Sequence, residues 1–169
     1  NAVYENTARY NTKTKKISMN YGADLKNPRG AGATWFHEHG HLVDDLAGNL
    51  SDDKNFIQLL ESDSLSYRIA YGKAHHLGTF DKVDKAISEE LGDMRKDSAI
   101  SDIFDGVTQG NIIGCASHPK EYWKNWDNVT SEAFAHMFEA QFDKERYEQM
   151  KKYFPNALEH FEKKMKEAL

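Results

Sequence analysis

Two histidines, His37 and His41, stand four positions apart with Glu38 directly after the first. This His-Glu-x-x-His pattern strongly constrains the local fold, because a helix brings side chains at positions i and i+4 onto one face. The apolar residues around the motif also recur at helical spacing. We therefore predict a helix over about residues 35–47.

Sequence signals mark both ends of this helix. The breaker-rich loop 26–32 precedes it, Thr34 is a plausible N-cap, and Gly48 is placed to end it in a left-handed conformation. The predicted buried stripe consists of Phe36, Gly40, Val43 and Ala47.

The motif suits a catalytic zinc ion. Zn²⁺ binds neutral imidazole nitrogen at about 2.0–2.1 Å, and a catalytic site usually has three protein ligands and a position for water. Coordination lowers the pKa of that water to roughly 7, and Glu38 is placed to accept its proton and return it to a leaving amine. We predict His37 and His41 as zinc ligands and Glu38 as general base. A structural metal site or a set of surface histidines is the simpler alternative.

The third ligand must come from another part of the chain. Glu132 is the first candidate, because it shares a helix face with His136 one turn away. On the residues alone, Asp45 and His118 stay open as alternatives. With Glu132 on the metal, His136 is predicted to support the site from outside the ligand set, and Asp44 to orient an imidazole.

Three other histidines are assigned to packing or to the surface. At helical spacing His39 points away from the face of the two predicted ligands. His75 and His76 are adjacent in sequence, so their side chains diverge, and no partner cluster lies near them.

Composition limits the domain organisation and the partners. A chain of 169 residues with 39% hydrophobic content suits one domain, 1–169, with a single core. The net charge of −5, with acidic and basic residues mixed, argues against nucleic acid as a partner. No apolar run reaches the roughly 18–20 residues that span a bilayer. We expect a soluble domain of a longer protein without a signal peptide; a bacterial cytoplasmic or virion-associated location is left open.

The remaining pattern is mostly helical. Alternation of polar and apolar residues over 3–24 predicts a β-hairpin, and residues 112–115 are compatible with a short strand. Helical periodicity occurs from about residue 51, over 83–94, 98–104, 134–142 and 147–153, and from 155 to 169. The predicted fold class is α+β, helix-dominated, with a small antiparallel sheet.

Residues 37–48, with the sequence HEHGHLVDDLAG, closely resemble the active-site helix of the anthrax lethal factor peptidase family. Residues 131–138, SEAFAHMF, resemble that family's second metal-binding helix. The resemblance implies a zincin-like metalloprotease domain of the gluzincin type, with Glu132 as third zinc ligand. Residues 101–106 and 118–123 are also similar to zincin-like domains of phage head-morphogenesis and other prophage proteins, which implies phage structural proteins as partners.

Two positions depart from the lethal factor pattern. Direct alignment places Asn125 where that family has a tyrosine that stabilises the transition state. Tyr122 and His118 are the candidate oxyanion donors in this chain, although a plain packing role for Tyr122 stays open. His136 stands where the family usually has an acid.

These observations predict a zinc-dependent metallopeptidase that hydrolyses a peptide bond in a protein or peptide substrate through zinc-activated water. The alternative is a phage or prophage structural or assembly module that retains zinc without peptidase activity. Glu38 favours the enzyme, because a purely structural site has no need of it. Residues 52–110 are predicted to form one wall of the substrate cleft, and the hairpin the other.

Overall fold

Helices make up most of residues 8–168, the part of the chain that this computed structural model describes. Eight α-helices and one two-stranded antiparallel sheet occur in that range. In chain order the helices are α1 (Tyr21–Asp24), α2 (Ala33–Leu46), α3 (Lys54–Ala74), α4 (Phe80–Glu90), α5 (Ser98–Val107), α6 (Trp126–Ala140), α7 (Lys144–Tyr153) and α8 (Pro155–Ala168). A helix-dominated fold with a small sheet is therefore confirmed.

The sheet is a hairpin of β1 (Arg9–Asn11) and β2 (Lys16–Ser18). In the turn between the strands, the side chain of Asn11 accepts hydrogen bonds from the backbone N–H groups of Lys13 and Thr14. Tyr10 anchors β1 to α2, because its hydroxyl donates to Asp45 at 2.5 Å. The predicted hairpin is thus present in shorter form, and residues 3–7 of that prediction lie outside the described residues.

Helix α6 lies between the apolar core and the polar site. Phe134 and Met137 belong to the main core, which α6 forms with α3, α4, α5, α7 and α8. Glu132, His136 and Glu139 form a second buried stripe at i, i+4 and i+7. This polar stripe faces α2, the helix with which α6 has its most extensive contact.

Helix α2 buries a polar face instead of the predicted apolar stripe. Its buried residues are Ala33, His37, Glu38, Gly40 and Asp44. Phe36, Val43 and Ala47 are only partly buried, so the predicted stripe is wrong except at Gly40. The reason is that α2 contributes nothing to the main apolar core and turns its histidines toward the acids of α6.

The ends of α2 are set by glycine and by a neighbouring helix. Gly32, at φ +80°, precedes the helix and offers no side-chain cap. Thr34, the predicted N-cap, lies inside the first turn, where its backbone N–H donates to Asp24 of α1 at 3.2 Å. The cap therefore comes from α1. The predicted stop at Gly48 is confirmed by its left-handed φ of +89°.

Two further predictions are wrong among the described residues. Residues 112–115 form no strand, because their backbone N–H groups donate to the hydroxyls of Thr108, Ser88 and Ser101 and to the Leu91 carbonyl instead of to a neighbouring strand. Phe142, predicted on the apolar stripe of α6, lies beyond the helix end and is 55% exposed.

No helix within residues 8–168 has the length and apolar character needed to cross a membrane.

Candidate metal centre

Three side-chain atoms converge between α2 and α6. His37 Nε2 lies 3.2 Å from His41 Nε2, and Glu132 Oε2 lies 3.1 Å from the first and 3.7 Å from the second. The i, i+4 spacing on α2 brings the two imidazoles together, and the contact with α6 brings the carboxylate to them. Buried histidine and glutamate side chains in this arrangement can bind a metal ion.

The hydrogen bonding of the cluster is incomplete. Glu132 Oε2 and His37 Nδ1 are buried and have no hydrogen-bond partner among the described residues. Burial raises the pKa of Glu132, but its contacts with His37 and His41 outweigh this and hold the pKa well below its usual value. The carboxylate is therefore ionised, with one oxygen directed at two imidazole nitrogens. A cation at that point would satisfy Glu132 Oε2 together with the Nε2 atoms of His37 and His41.

An outer contact orients His41. Its Nδ1 lies 3.1 Å from the Oγ of Ser131, the residue before Glu132 on α6. His37 Nδ1 lies 3.7 Å from Glu139 Oε2, which is too long for a hydrogen bond. Asp44, predicted to orient an imidazole, instead accepts hydrogen bonds from the backbone N–H and the hydroxyl of Ser51 at 2.9 and 2.5 Å.

Glu139 is held by two arginines that the sequence analysis missed. Arg29 Nη2 and Arg146 Nη1 each lie 2.6 Å from one of its oxygens. Burial raises the pKa of Glu139, but Arg29 and the neighbouring histidines hold it well below its usual value. The signal available in the sequence was the spacing of Glu139, which follows Glu132 and His136 on one helix face.

Asp102 of α5 joins two more histidines and was also missed. Its two oxygens lie 2.9 Å from His118 Nδ1 and 3.1 Å from His136 Nε2. The ring of His136 in turn lies 4.4 Å from that of His37. His136 thus lies beside His37, and its predicted role outside the ligand set stays a prediction. An acid within the largely apolar helix α5 was the signal for Asp102.

Two further groups of residues, which share His37 or Glu132 with the cluster of His37, His41 and Glu132, also have possible ligand atoms within 4.8 Å of one another. One joins Glu139 with His37 and His136, and the other joins Asp102 with His118 and Glu132. In the first, both glutamate oxygens are paired with arginine, and in the second both aspartate oxygens contact histidine. The group of His37, His41 and Glu132 is the best suited to a cation, because the glutamate oxygen there has no other partner.

The convergent atoms open into a polar cavity of about 400 Å³, the metal pocket. Glu38 lies on its wall beside the two histidines, while Arg9, Tyr10 and Thr12 of the hairpin region form another side. The hairpin thus forms one side of this pocket. None of residues 52–110 lines it, since α3 and α4 pack into the core, so the wall predicted from that segment is wrong for this pocket. Ser98 and Asp102 of the same segment line a neighbouring cavity instead.

Both candidate oxyanion donors line the metal pocket. The Tyr122 hydroxyl donates to Glu132 Oε1 at 2.6 Å, and its ring stacks on His118 at 4.5 Å. Burial lowers the pKa of His118, but the Asp102 carboxylate outweighs this and raises it. Asn125, the residue aligned with the family tyrosine, instead caps α6 by accepting from the backbone N–H of Asp127 at 3.1 Å.

The remaining sequence candidates lie apart from the cluster. Asp45, an alternative third ligand, is engaged by Tyr10 and Lys15, each at 2.5 Å. His39 packs against Trp35 with ring centroids 3.9 Å apart, in agreement with its predicted packing role. His75 and His76 are exposed, as predicted.

Comparison with protein-family models, with curated proteins and with solved structures finds no match for this chain. The resemblance to lethal factor peptidases and to phage zincin-like domains therefore stays a prediction.

Proposed function

We propose that this chain is a zinc-dependent metallopeptidase of the zincin type. The observation that carries the proposal is the unpartnered Glu132 oxygen directed at the Nε2 atoms of His37 and His41. Zinc with bonds of about 2.0–2.2 Å in tetrahedral geometry needs ligand atoms roughly 3.3–3.5 Å apart. The separations of 3.1, 3.2 and 3.7 Å lie close to that requirement. Imidazole and carboxylate are also ligands that zinc favours.

A bound zinc ion would polarise the carbonyl of the scissile bond and make a water molecule acidic enough to attack it near neutral pH. Glu38 is buried and lines the metal pocket, and it takes no part in the convergent ligand set. We assign it the proton transfers. Its carboxylate accepts a proton from the attacking water and delivers it to the departing amine nitrogen.

His118 is the preferred donor to the developing oxyanion. Its Nδ1 contacts Asp102, so Nε2 is the nitrogen left for the substrate, and the raised pKa favours a protonated ring. Tyr122 is the second candidate, but its hydroxyl is already engaged by Glu132. Substitutions His118→Ala and Tyr122→Phe, compared by kcat at saturating substrate, separate these roles.

The substrate is a protein or peptide. The hairpin region forms one side of the metal pocket, and Glu38 lies on its wall. A peptide chain bound in this pocket would therefore pass between the hairpin region and Glu38.

The test is cleavage of a peptide library by the zinc-loaded protein and by Glu38→Gln. Elemental analysis must first show one zinc per chain in both proteins. We expect cleavage by the parent and at least a 100-fold lower rate for the variant, since a general base contributes about 10²–10⁴-fold. Zinc binding without cleavage in either protein would contradict the peptidase and favour a zinc-stabilised phage or prophage assembly module.

A further inference from the structure

A second cavity of about 300 Å³ adjoins the metal pocket. His37, Glu38 and His118 line both cavities, so the second cavity lies directly beside the metal pocket. We call this second cavity the polar chamber. Its other lining residues include Arg29, Thr34, Ser98, Asp102, Ala116 and Ser117.

The chamber presents hydrogen-bond donors. Thr34 Oγ1 accepts a hydrogen bond from the Asn27 side chain at 2.7 Å. Ser98 Oγ accepts two, from Arg29 Nε at 3.3 Å and from Arg146 Nη2 at 3.4 Å. Among residues 8–168, neither hydroxyl hydrogen has an acceptor. Both hydroxyls are therefore free to donate, and Ser98 is only 1% exposed.

Two acids line the chamber, Asp102 and the Glu38 of the shared wall. Both oxygens of Asp102 contact histidines, at 2.9 and 3.1 Å. Arg29 adds a guanidinium, which contacts Ser98 through Nε and Glu139 through Nη2. A ligand group that enters the chamber thus meets two hydroxyls, a guanidinium and the Glu38 carboxylate, a mixture that suits a neutral carboxamide better than a second carboxylate.

We propose that the polar chamber binds a substrate side chain that ends in a carboxamide, namely that of Asn or Gln. Such a group accepts from the Thr34 and Ser98 hydroxyls. An aliphatic side chain of the same length leaves both hydroxyls unpaired, and sites built to form hydrogen bonds discriminate strongly against ligands that lack the group. The proposal rests on the zinc centre proposed above, but it does not require hydrolysis.

N-acetyl amino-acid hydroxamates test this directly, because the hydroxamate binds zinc and the side chain can be varied. We would measure the Kd of the glutamine, glutamate, leucine and glycine compounds for the zinc-loaded protein by calorimetry. Dividing each Kd by that of the glycine compound removes the contribution of the zinc anchor. We expect the glutamine compound to bind at least about tenfold more tightly than the leucine compound, and more tightly than the glutamate compound.

Two threonine variants provide the matched comparison. Thr34→Val removes a chamber hydroxyl and should reduce the preference for glutamine over leucine to about threefold or less. Thr79→Val makes the same change outside both cavities and should keep the full preference. Unchanged affinity for the glycine compound in both variants shows that the zinc centre is intact.

The proposal is overturned if the leucine or the glutamate compound binds as tightly as the glutamine compound, or if Thr34→Val keeps the preference. It also falls if the glycine compound fails to bind the zinc-loaded protein, since the anchor is then wrong. A preserved preference in a protein that cleaves no peptide supports the chamber and contradicts only the hydrolytic function.

Discussion

Gly40 of α2 and Ala135 of α6 lie so close together that a Cβ added at Gly40 would be 2.6 Å from the Ala135 Cα. No side chain fits at that distance without a shift of the backbone. The contact sits between His37 and His41 on α2, and Ala135 follows Glu132 by three residues on α6. The close approach of the two backbones therefore sets the distance from the histidines to the glutamate.

Gly40→Ala should separate the helices and weaken metal binding. Alanine normally stabilises a helix interior by about 0.5–1 kcal/mol relative to glycine, whereas overpacking costs about 1–3 kcal/mol. We expect a net loss of stability in urea unfolding and a clearly lower zinc affinity. Gly22→Ala in α1 is the control, since its Cβ would meet its nearest neighbour at an ordinary 3.5 Å. A stable Gly40→Ala protein with normal zinc affinity would contradict this account.

Substitution of the candidate ligands decides which side chain is the third. Glu132→Gln keeps the shape of the side chain but removes the charge of the ligand. We expect zinc affinity to fall by about 100-fold or more. Residues that contact the ligands but not the metal typically contribute only about 10–100-fold. Asp45→Asn and His118→Ala are the controls, and both should retain one zinc per chain. Chelator competition on the three variants is the measurement. Retention by Glu132→Gln together with loss in either control would mean that the ligand set is wrong.

The local motif could be predicted from the sequence, but its surroundings could not. His37, Glu38 and His41 lie within one helical turn, so their geometry follows from helix periodicity alone. Glu139 and Asp102 come from two other helices, and their contacts with arginine and histidine depend on tertiary packing. No local pattern encodes such contacts.

The buried face of α2 was predicted wrongly for a related reason. Pattern analysis places apolar side chains inward, but this helix lies outside the main core and packs its polar face on α6. Phe36 packs instead on Phe142 beyond the end of α6, with ring centroids 4.1 Å apart. A site that buries histidine and carboxylate together reverses the usual hydrophobic rule, as expected where function competes with local preference.

Acid should release the metal, because both histidines must be neutral to bind it. Burial lowers the pKa of His37, but Glu132 and Glu139 outweigh this and raise it, so protons compete at a higher pH than for an ordinary histidine. Glu132 stays ionised through the same range because its pKa is held low. We expect zinc loss as the pH falls below about 5–6. Zinc content unchanged at pH 4 in elemental analysis would contradict the two-histidine site.

Asp53 should stabilise the fold in a pH range distinct from that of the metal site. Its carboxylate caps α3 through Asn55 N–H at 2.8 Å and lies 2.9 Å from Lys164 Nζ of α8. The contact with Lys164 lowers the pKa of Asp53 to about 2 against the opposing effect of burial. The unfolded chain has a pKa near about 3.9, so the ionised form favours the folded state.

The contribution of Asp53 is therefore complete above about pH 5 and is lost as the pH falls from about 4 through 2. Urea unfolding of the parent and of Asp53→Asn, both without metal, should show a constant stability difference above pH 5 that shrinks below pH 4. Asparagine retains the helix cap, so the difference reports the charge. Lys164→Met should give the same pH profile, since it removes the partner that lowers the pKa. A difference that grows on acidification would mean that Asp53 is not stabilised in its ionised form.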